Sequence, residues 1–493
     1  MIKNKITADL ACRQAGVRRR RAKSNKIRMG ELHNCILAAF GSSVVFACCI
    51  LSGCEQRKRA SDFTFTEHIA PIIHKNCTPC HRPGEAGPFP LITYQDVLKK
   101  AKTIKRVTEI KFMPPWPADR SYSTFLGEWG LTDEEIQMIG DWVDNHCPPG
   151  DPSIMPPPPR FPEHSQLGKP DLVLKMKEPF MIPGDNKDHF MVIKIPFELP
   201  SDTFIRAIEF VPGNRALVHH MNGHLVQYED ARKKNVFEGK YVTERDTSHT
   251  LEMCYNDIRL LNDDGSYPLL TVSVANYLPG MGPIVYPEGL GGWKVKRKGA
   301  FLMRDQHYGP TPVPSSDQSY INIFFSDKPP VRQTMETQLG TLGISEIVPP
   351  LIIPPDTVMT FKTHAVIQND IALISINPHM HLLGKSYWAF AVKPGGDTLP
   401  LIRIPEWDFR WQYTYTFKKM LHIPKGTAIW AYGTYDNTTD NPNNPFFPPR
   451  EVSDRRQSMS TTDEMFQFIM TYVPYRPGDE NISLVTDLNL DRK

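Results

Sequence analysis

With 493 residues, 40% of them hydrophobic and 23% charged, the chain has an ordinary globular composition and room for about two to four domains. Its 46 prolines argue for strands, turns and extended linkers and against a helix bundle. The net charge of +3 is unevenly spread. Residues 1–53 hold ten Lys/Arg against Asp9 and Glu31, so the body is slightly acidic and nothing in its charge supports nucleic-acid binding.

Residues 1–54 read as a leader. Arg18–Arg28 is strongly basic, Ile36–Leu51 is almost wholly apolar, and Leu51-Ser52-Gly53-Cys54 follows. That order is a positive n-region, an h-region of signal-peptide length and a small-residue cleavage site. Leu-Ser-Gly-Cys resembles the bacterial lipobox. The resemblance implies lipidation of Cys54, hence a membrane partner through a lipid anchor, at the periplasmic side of a bacterial membrane or the cell surface. An ordinary signal peptide and an N-terminal membrane anchor are the alternatives, and all three imply export. Of nine cysteines, Cys12, Cys35, Cys48 and Cys49 fall in the leader. Cys147 and Cys254 are left without a role, and whether they pair stays open, so the body is held by hydrophobic cores and not by disulfides.

Residues 60–151 carry Cys77-Thr78-Pro79-Cys80-His81, the C-x-x-C-H spacing of covalent haem c attachment. Two thiols add to the haem vinyls and the adjoining His takes the iron. A small all-α domain is expected around it. Thr66–Lys75 leads in, Thr93–Glu109 carries Val97, Ala101, Ile104 and Val107 on one stripe, and Thr132-x-x-Glu135 is a capping box. Met113, in Phe112-Met113-Pro114-Pro115-Trp116, is the candidate second axial ligand, with Met138, His74 and His146 as rivals. The segment resembles cytochrome c domains of bacterial exported redox proteins. A Pro-rich linker follows at 152–169, with Pro156–Pro159 consecutive.

From 170 onward short β-type runs alternate with Pro/Gly turns, which predicts two all-β antiparallel sandwich (jelly-roll-like) domains, 170–329 and 330–480, and a tail at 481–493. The expected strands include Asp171–Ile182, Phe190–Leu199, Phe204–Pro212, Ile371–Ile376, Tyr413–Lys419 and Phe466–Tyr472. His379 and His381 stand in Asn377-Pro378-His379-Met380-His381. Two residues apart on a strand, they share a face; on a helix they would diverge by roughly 200°. Val218-His219-His220-Met221 and Gln306-His307-Tyr308 lie in the first half. Adjacent histidines on a regular strand face opposite ways, so His219 and His220 bind one ion only through different ring nitrogens or at a bulge. His224 is a rival ligand.

His-His-Met, His-Tyr, His-x-His-x-Leu-Gly-Lys and Asp-Glu-Met (Asp463 to Met465), in that order, resemble the copper type II, ascorbate-dependent monooxygenases. The resemblance implies two copper ions, one held by His219, His220 and His307, the other by His379, His381 and Met465. The second would bind O2 and carry the catalysis, and the first would supply an electron. Ligand chemistry agrees: imidazole suits copper, thioether favours Cu(I), and no Cys neighbours either group. The expected activity is hydroxylation of a C–H bond of a small organic substrate, with ascorbate or another one-electron reductant, a periplasmic electron donor, and haem c as relay. The chain departs from the family at Asp305, where Gln is usual, and at Asn377, where the peptide-hydroxylating member has Arg. The latter argues against a peptidylglycine substrate and leaves Arg403 or Arg410 as candidate cations for a carboxylate. A second reading, from another class, is a non-catalytic exported haem–copper electron-transfer or copper-holding lipoprotein.

Overall fold

The computed structural model describes residues 63–162, 164–246, 248–287, 289–454 and 462–485. The leader, Cys54 and most of the tail lie outside the described residues. Residues Ala60–Lys493 form one compact unit. Among the described residues no helix is long and apolar enough to cross a membrane.

The N-terminal part is helical. A π turn, Phe65–Ile69, runs into the α-helix Ala70–Asn76, and helices Tyr94–Glu109 and Asp133–Asp144 follow. Both longer helices open on the expected capping boxes: Thr93 with Asp96, and Thr132 with Glu135. Each box satisfies N–H groups that the first turn leaves without partners. The buried stripe of Tyr94–Glu109 is Val97, Ala101, Ile104 and Thr108, not Val107. Thr108 tolerates burial because its hydroxyl donates to the Ile104 carbonyl at 2.9 Å. The Pro-rich stretch is pinned to its surroundings: the Arg82 guanidinium lies 3.7 Å from the Phe161 ring, and Gln166 N–H donates to Glu209 at 2.7 Å.

Antiparallel sheets make up the rest. One five-stranded sheet runs Val242–Glu244, β1 (His189–Glu198), β3 (Lys298–Tyr308), β2 (Val218–Tyr228), Leu269–Tyr277. It faces a second sheet holding Leu172–Lys175, Tyr320–Phe325 and Thr203–Val211. Between them Met191, Ile193, Met221, Leu225, Phe301 and Met303 meet Ile205, Ile208, Ile321 and Ile323. The expected run Asp171–Ile182 breaks into two strands, Leu172–Lys175 and Phe180–Ile182, in different sheets. Strand β3 has no clear alternation in sequence because both its faces are covered, and even Lys298 is buried, with its ammonium on the carbonyls of Lys233 and Lys234.

A second pair of sheets follows. Met335–Gly340, β6 (Phe466–Pro474), β4 (Ile371–Met380) and β5 (Tyr415–Ile423) form one. The other contains Val358–Val366, Ala428–Asp436, Gly384–Val392 and Thr398–Ile404. Their shared core includes Leu373, Ile376, Phe466 and Phe468 against Phe361, Ala389, Ile429 and Tyr435. Ala118 and Phe125, from between the second and third helices, belong to that same core. The helical part is thus packed into the β-structure. Leu126 N–H donates to Thr416 at 2.7 Å, Asp119 N–H to Arg403 at 2.8 Å, and Trp388 Nε1–H to the Tyr122 hydroxyl at 2.7 Å.

Candidate metal centres

His219 and His220 lie on β2 and His307 on β3. The β2–β3 register runs Met303 to Gly223 and then His307 to His220, so β3 bulges between them. Such an extra residue re-aims side chains at the end of a ladder. One ring nitrogen from each histidine lies within 4.8 Å of the others. His307 Nε2–H donates to Asp188 at 2.7 Å, leaving its Nδ1 facing His220 Nδ1 at 3.3 Å. His219 Nδ1 is buried without a hydrogen-bond partner. An orphaned imidazole nitrogen beside two converging ones is a donor set that could hold a metal ion. His224 is buried, and the three-residue group does not include it.

His379 is the penultimate residue of β4, Met380 ends it, and His381 follows directly. The two imidazole centroids are 5.0 Å apart. His379 Nδ1–H donates to Gln412 Oε1, and His381 Nδ1–H donates to the Asp463 carbonyl at 2.9 Å. With both protons fixed on Nδ1, both rings offer Nε2 as the free lone pair, the arrangement usual for metal-bound imidazoles. Met465 is 1% exposed and directly precedes β6, whose Phe466 pairs with Met380 and whose Gln467 pairs with His379. Glu464 ties the pieces together. Its carboxylate accepts the N–H groups of His381 at 2.9 Å, Leu383 at 2.7 Å and Met465 at 3.3 Å. Register and Glu464 therefore bring Met465 and the two histidines to the same sheet end.

Burial keeps the rings neutral and available as ligands. It lowers His219 to about 4, with help from His307, and His220 to about 3, with help from His307 and His219. Burial and His381 bring His379 to about 3, and burial lowers His381 and His307. Burial pushes the Glu464 carboxyl up to about 8 against its three N–H donors. The charge of His379 bears on His220, and Asp305 bears on His220, His307, His379 and His381. Asp305 itself pairs with Arg245 at 3.0 Å.

These two groups sit in different sheet pairs, and the second lies inside a recognisable domain. Residues 339–478 match the copper type II ascorbate-dependent monooxygenase, C-terminal domain. His379, His381 and Met465 fall within the matched segment; His219, His220 and His307 precede it. The match supports an oxidoreductase of the copper-dependent monooxygenase kind. No curated protein matches the chain. Among solved structures, the infectious bursal disease virus Gx strain aligns at 7% identity and a TM-score of 0.15, over 64% of this chain and 75% of that one. The Gt strain aligns at 8% and 0.14, over 64% and 84%. At those scores the alignments carry no argument.

The C-x-x-C-H motif follows helix Ala70–Asn76. Neither Cys77 nor Cys80 is in a disulfide. His81 Nδ1–H donates to the Phe89 carbonyl at 3.1 Å, which leaves Nε2 for a metal. Burial and the Cys80 charge push the Cys77 thiol up to about 12, the opposite of the depressed thiol a redox C-x-x-C needs. A Cβ at Gly87 would lie 2.6 Å from the Cys80 carbonyl, and one at Gly280 would lie 3.2 Å from Cys80 Sγ. The donors fit a c-type haem. Met113 is half-buried, with its N–H on the Val107 carbonyl at 3.1 Å. His74 Nε2–H donates to the Ile92 carbonyl at 3.1 Å. Cys147 and Cys254 are buried free thiols in separate cores, not a disulfide.

Both candidate substrate cations are already engaged: Arg403 with Asp119, and Arg410 with Asp408. Asp436, Asn437 and Asn441 make turn hydrogen bonds, as with Asn441 Nδ2–H to the Asp436 carbonyl at 2.7 Å. The residues that sequence reasoning missed are those that hold the ligands: Asp188, Gln412 and Glu464. Glu464 adjoins Met465 in the quoted motif and could have been found there. Gln412 lies 33 residues from His379 in a loop and carries no sequence signal.

Proposed function

We propose that the protein is an exported copper- and haem-dependent monooxygenase that hydroxylates a C–H bond of a small organic substrate with O2. Electrons come from ascorbate or another one-electron reductant. The observation that carries this reading is the pairing of His379, His381 and Met465 within a copper monooxygenase domain with a separate three-imidazole group. Bound copper would supply one-electron redox chemistry at each group and O2 chemistry at the thioether-containing one.

The chain's own residues have distinct tasks. His379, His381 and Met465 hold one copper, with the rings oriented by Gln412 and Asp463. Glu464 fixes the backbone that carries two of those ligands. His219, His220 and His307 hold the other, with Asp188 orienting His307. Cys77, Cys80, His81 and Met113 would hold haem c, which would supply one-electron chemistry for electron delivery. Cys54 anchors the exported chain to a membrane, facing a periplasmic electron donor.

Metal analysis and electron paramagnetic resonance on the full-length exported protein test the reading. Two mononuclear type-2 copper signals, a low-spin haem and reductant-dependent O2 incorporation into an organic product are expected. Copper at neither histidine group would overturn it.

A further inference from the structure

We infer that Met113–Pro115, Tyr413 and Gln412 form the electron-input path of this protein, and that the path ends at the His379/His381 centre, not at the three-histidine group. The inference rests on the haem and copper reading above.

The argument starts at the loop that joins Thr398–Ile404 to β5. Phe409 meets the His381 ring at a centroid distance of 5.6 Å, and Gln412 holds His379 Nδ1. On its other side the loop meets the Met-Pro-Pro-Trp segment. The Tyr413 hydroxyl donates to the Pro115 carbonyl at 3.0 Å, and its ring packs on Trp116 at 5.6 Å. Arg410 lies over the Phe112 ring at 5.4 Å.

Following bonds from Met113 gives a nearly unbroken route. The chain runs from Met113 to the Pro115 carbonyl, across one hydrogen bond to Tyr413, along one peptide bond to Gln412, and across a second hydrogen bond to His379. Electronic coupling decays far less through bonds and hydrogen bonds than across gaps, so such a route outcompetes through-space alternatives. Among the described residues no hydrogen bond joins His219, His220 or His307 to residues 63–151. Each transfer along the route moves one electron: iron(II) becomes iron(III) at one end and copper(II) becomes copper(I) at the other, with no proton needed for balance.

The test uses full-length protein loaded with haem and copper, mixed anaerobically with a one-electron reductant, with haem absorbance followed after mixing. Wild type, Gln412→Leu, Tyr413→Phe and His307→Ala are compared, with copper content, haem content and haem potential measured on each. Gln412→Leu should slow haem oxidation by copper about tenfold or more, the usual scale for losing a partner of a metal-bound histidine. Tyr413→Phe, which leaves Gln412 in place, should slow it too, while His307→Ala keeps the wild-type rate. If Tyr413→Phe transfers at the wild-type rate with both metals bound, or His307→Ala abolishes the phase, the route is wrong. Wild-type protein without covalent haem would sink the haem reading itself, and the metal analysis would reveal that before any kinetics.

Discussion

Glu464→Ala should loosen the sheet end that carries His381 and Met465. The wild-type carboxylate accepts three backbone N–H groups at a site 1% exposed. Leaving them without a partner costs about 1 to 3 kcal/mol each. Against that, the folded carboxyl is pushed up to about 8, so at pH 7 folding draws a proton onto it from neutral solution at a cost of about 3 kcal/mol, which the substitution relieves. The balance is a net loss of up to about 6 kcal/mol at pH 7, centred on about 3 kcal/mol. Between its unfolded value of 4.5 and about 8, the native state holds a proton on Glu464 that the unfolded state has released. This group therefore makes wild-type stability fall as pH rises through that window, a slope the alanine variant lacks. The stability gap between the two should narrow from pH 5 to pH 8 in denaturant titrations of metal-free protein. Glu464→Gln keeps an acceptor for His381 and Met465 but sets an amide against the Leu383 N–H, so it should fall between. An alanine variant within about 0.5 kcal/mol of wild type at pH 5, the scale of an ordinary surface substitution, would refute the pin.

Met465→Ile should remove hydroxylation and the sulfur scattering seen by X-ray absorption at copper, while the three-histidine copper signal persists; unchanged turnover would count against the thioether ligand. Metal-free protein should lose stability as pH falls from 6.5 towards 4, because buried His219, His220 and His379 stay neutral while the unfolded chain takes up protons, and thermal melts at pH 7 and pH 5 would register the drop. Asp479→Asn should cost about 3 to 5 kcal/mol in chemical denaturation, because it strands the buried Arg332 guanidinium that the carboxylate holds at 2.8 Å. Cys77→Ser with Cys80→Ser should yield protein without haem stain on a denaturing gel; retained stain would exclude thioether attachment there.

What could be read from the chain alone was local. Thr93 and Thr132 cap their helices because a hydroxyl and a carboxyl three residues on satisfy first-turn N–H groups wherever the helix packs. The runs around Phe190, Ile371 and Phe466 announced strands because their apolar residues suit a sheet face. The identities of the histidines and Met465 are likewise properties of sequence. Where those side chains meet was decided only by the fold. His220 and His307 are joined across 87 residues by the bulge in β3, and a bulge is a feature of pairing between strands, invisible in either strand alone. The protons on His307, His379 and His381 are fixed by Asp188, Gln412 and the Asp463 carbonyl, partners brought by loops with no periodicity to betray them. Composition and spacing thus determined which candidate ligands the chain carries, and long-range packing determined which nitrogen of His307, His379 and His381 is left with a free lone pair.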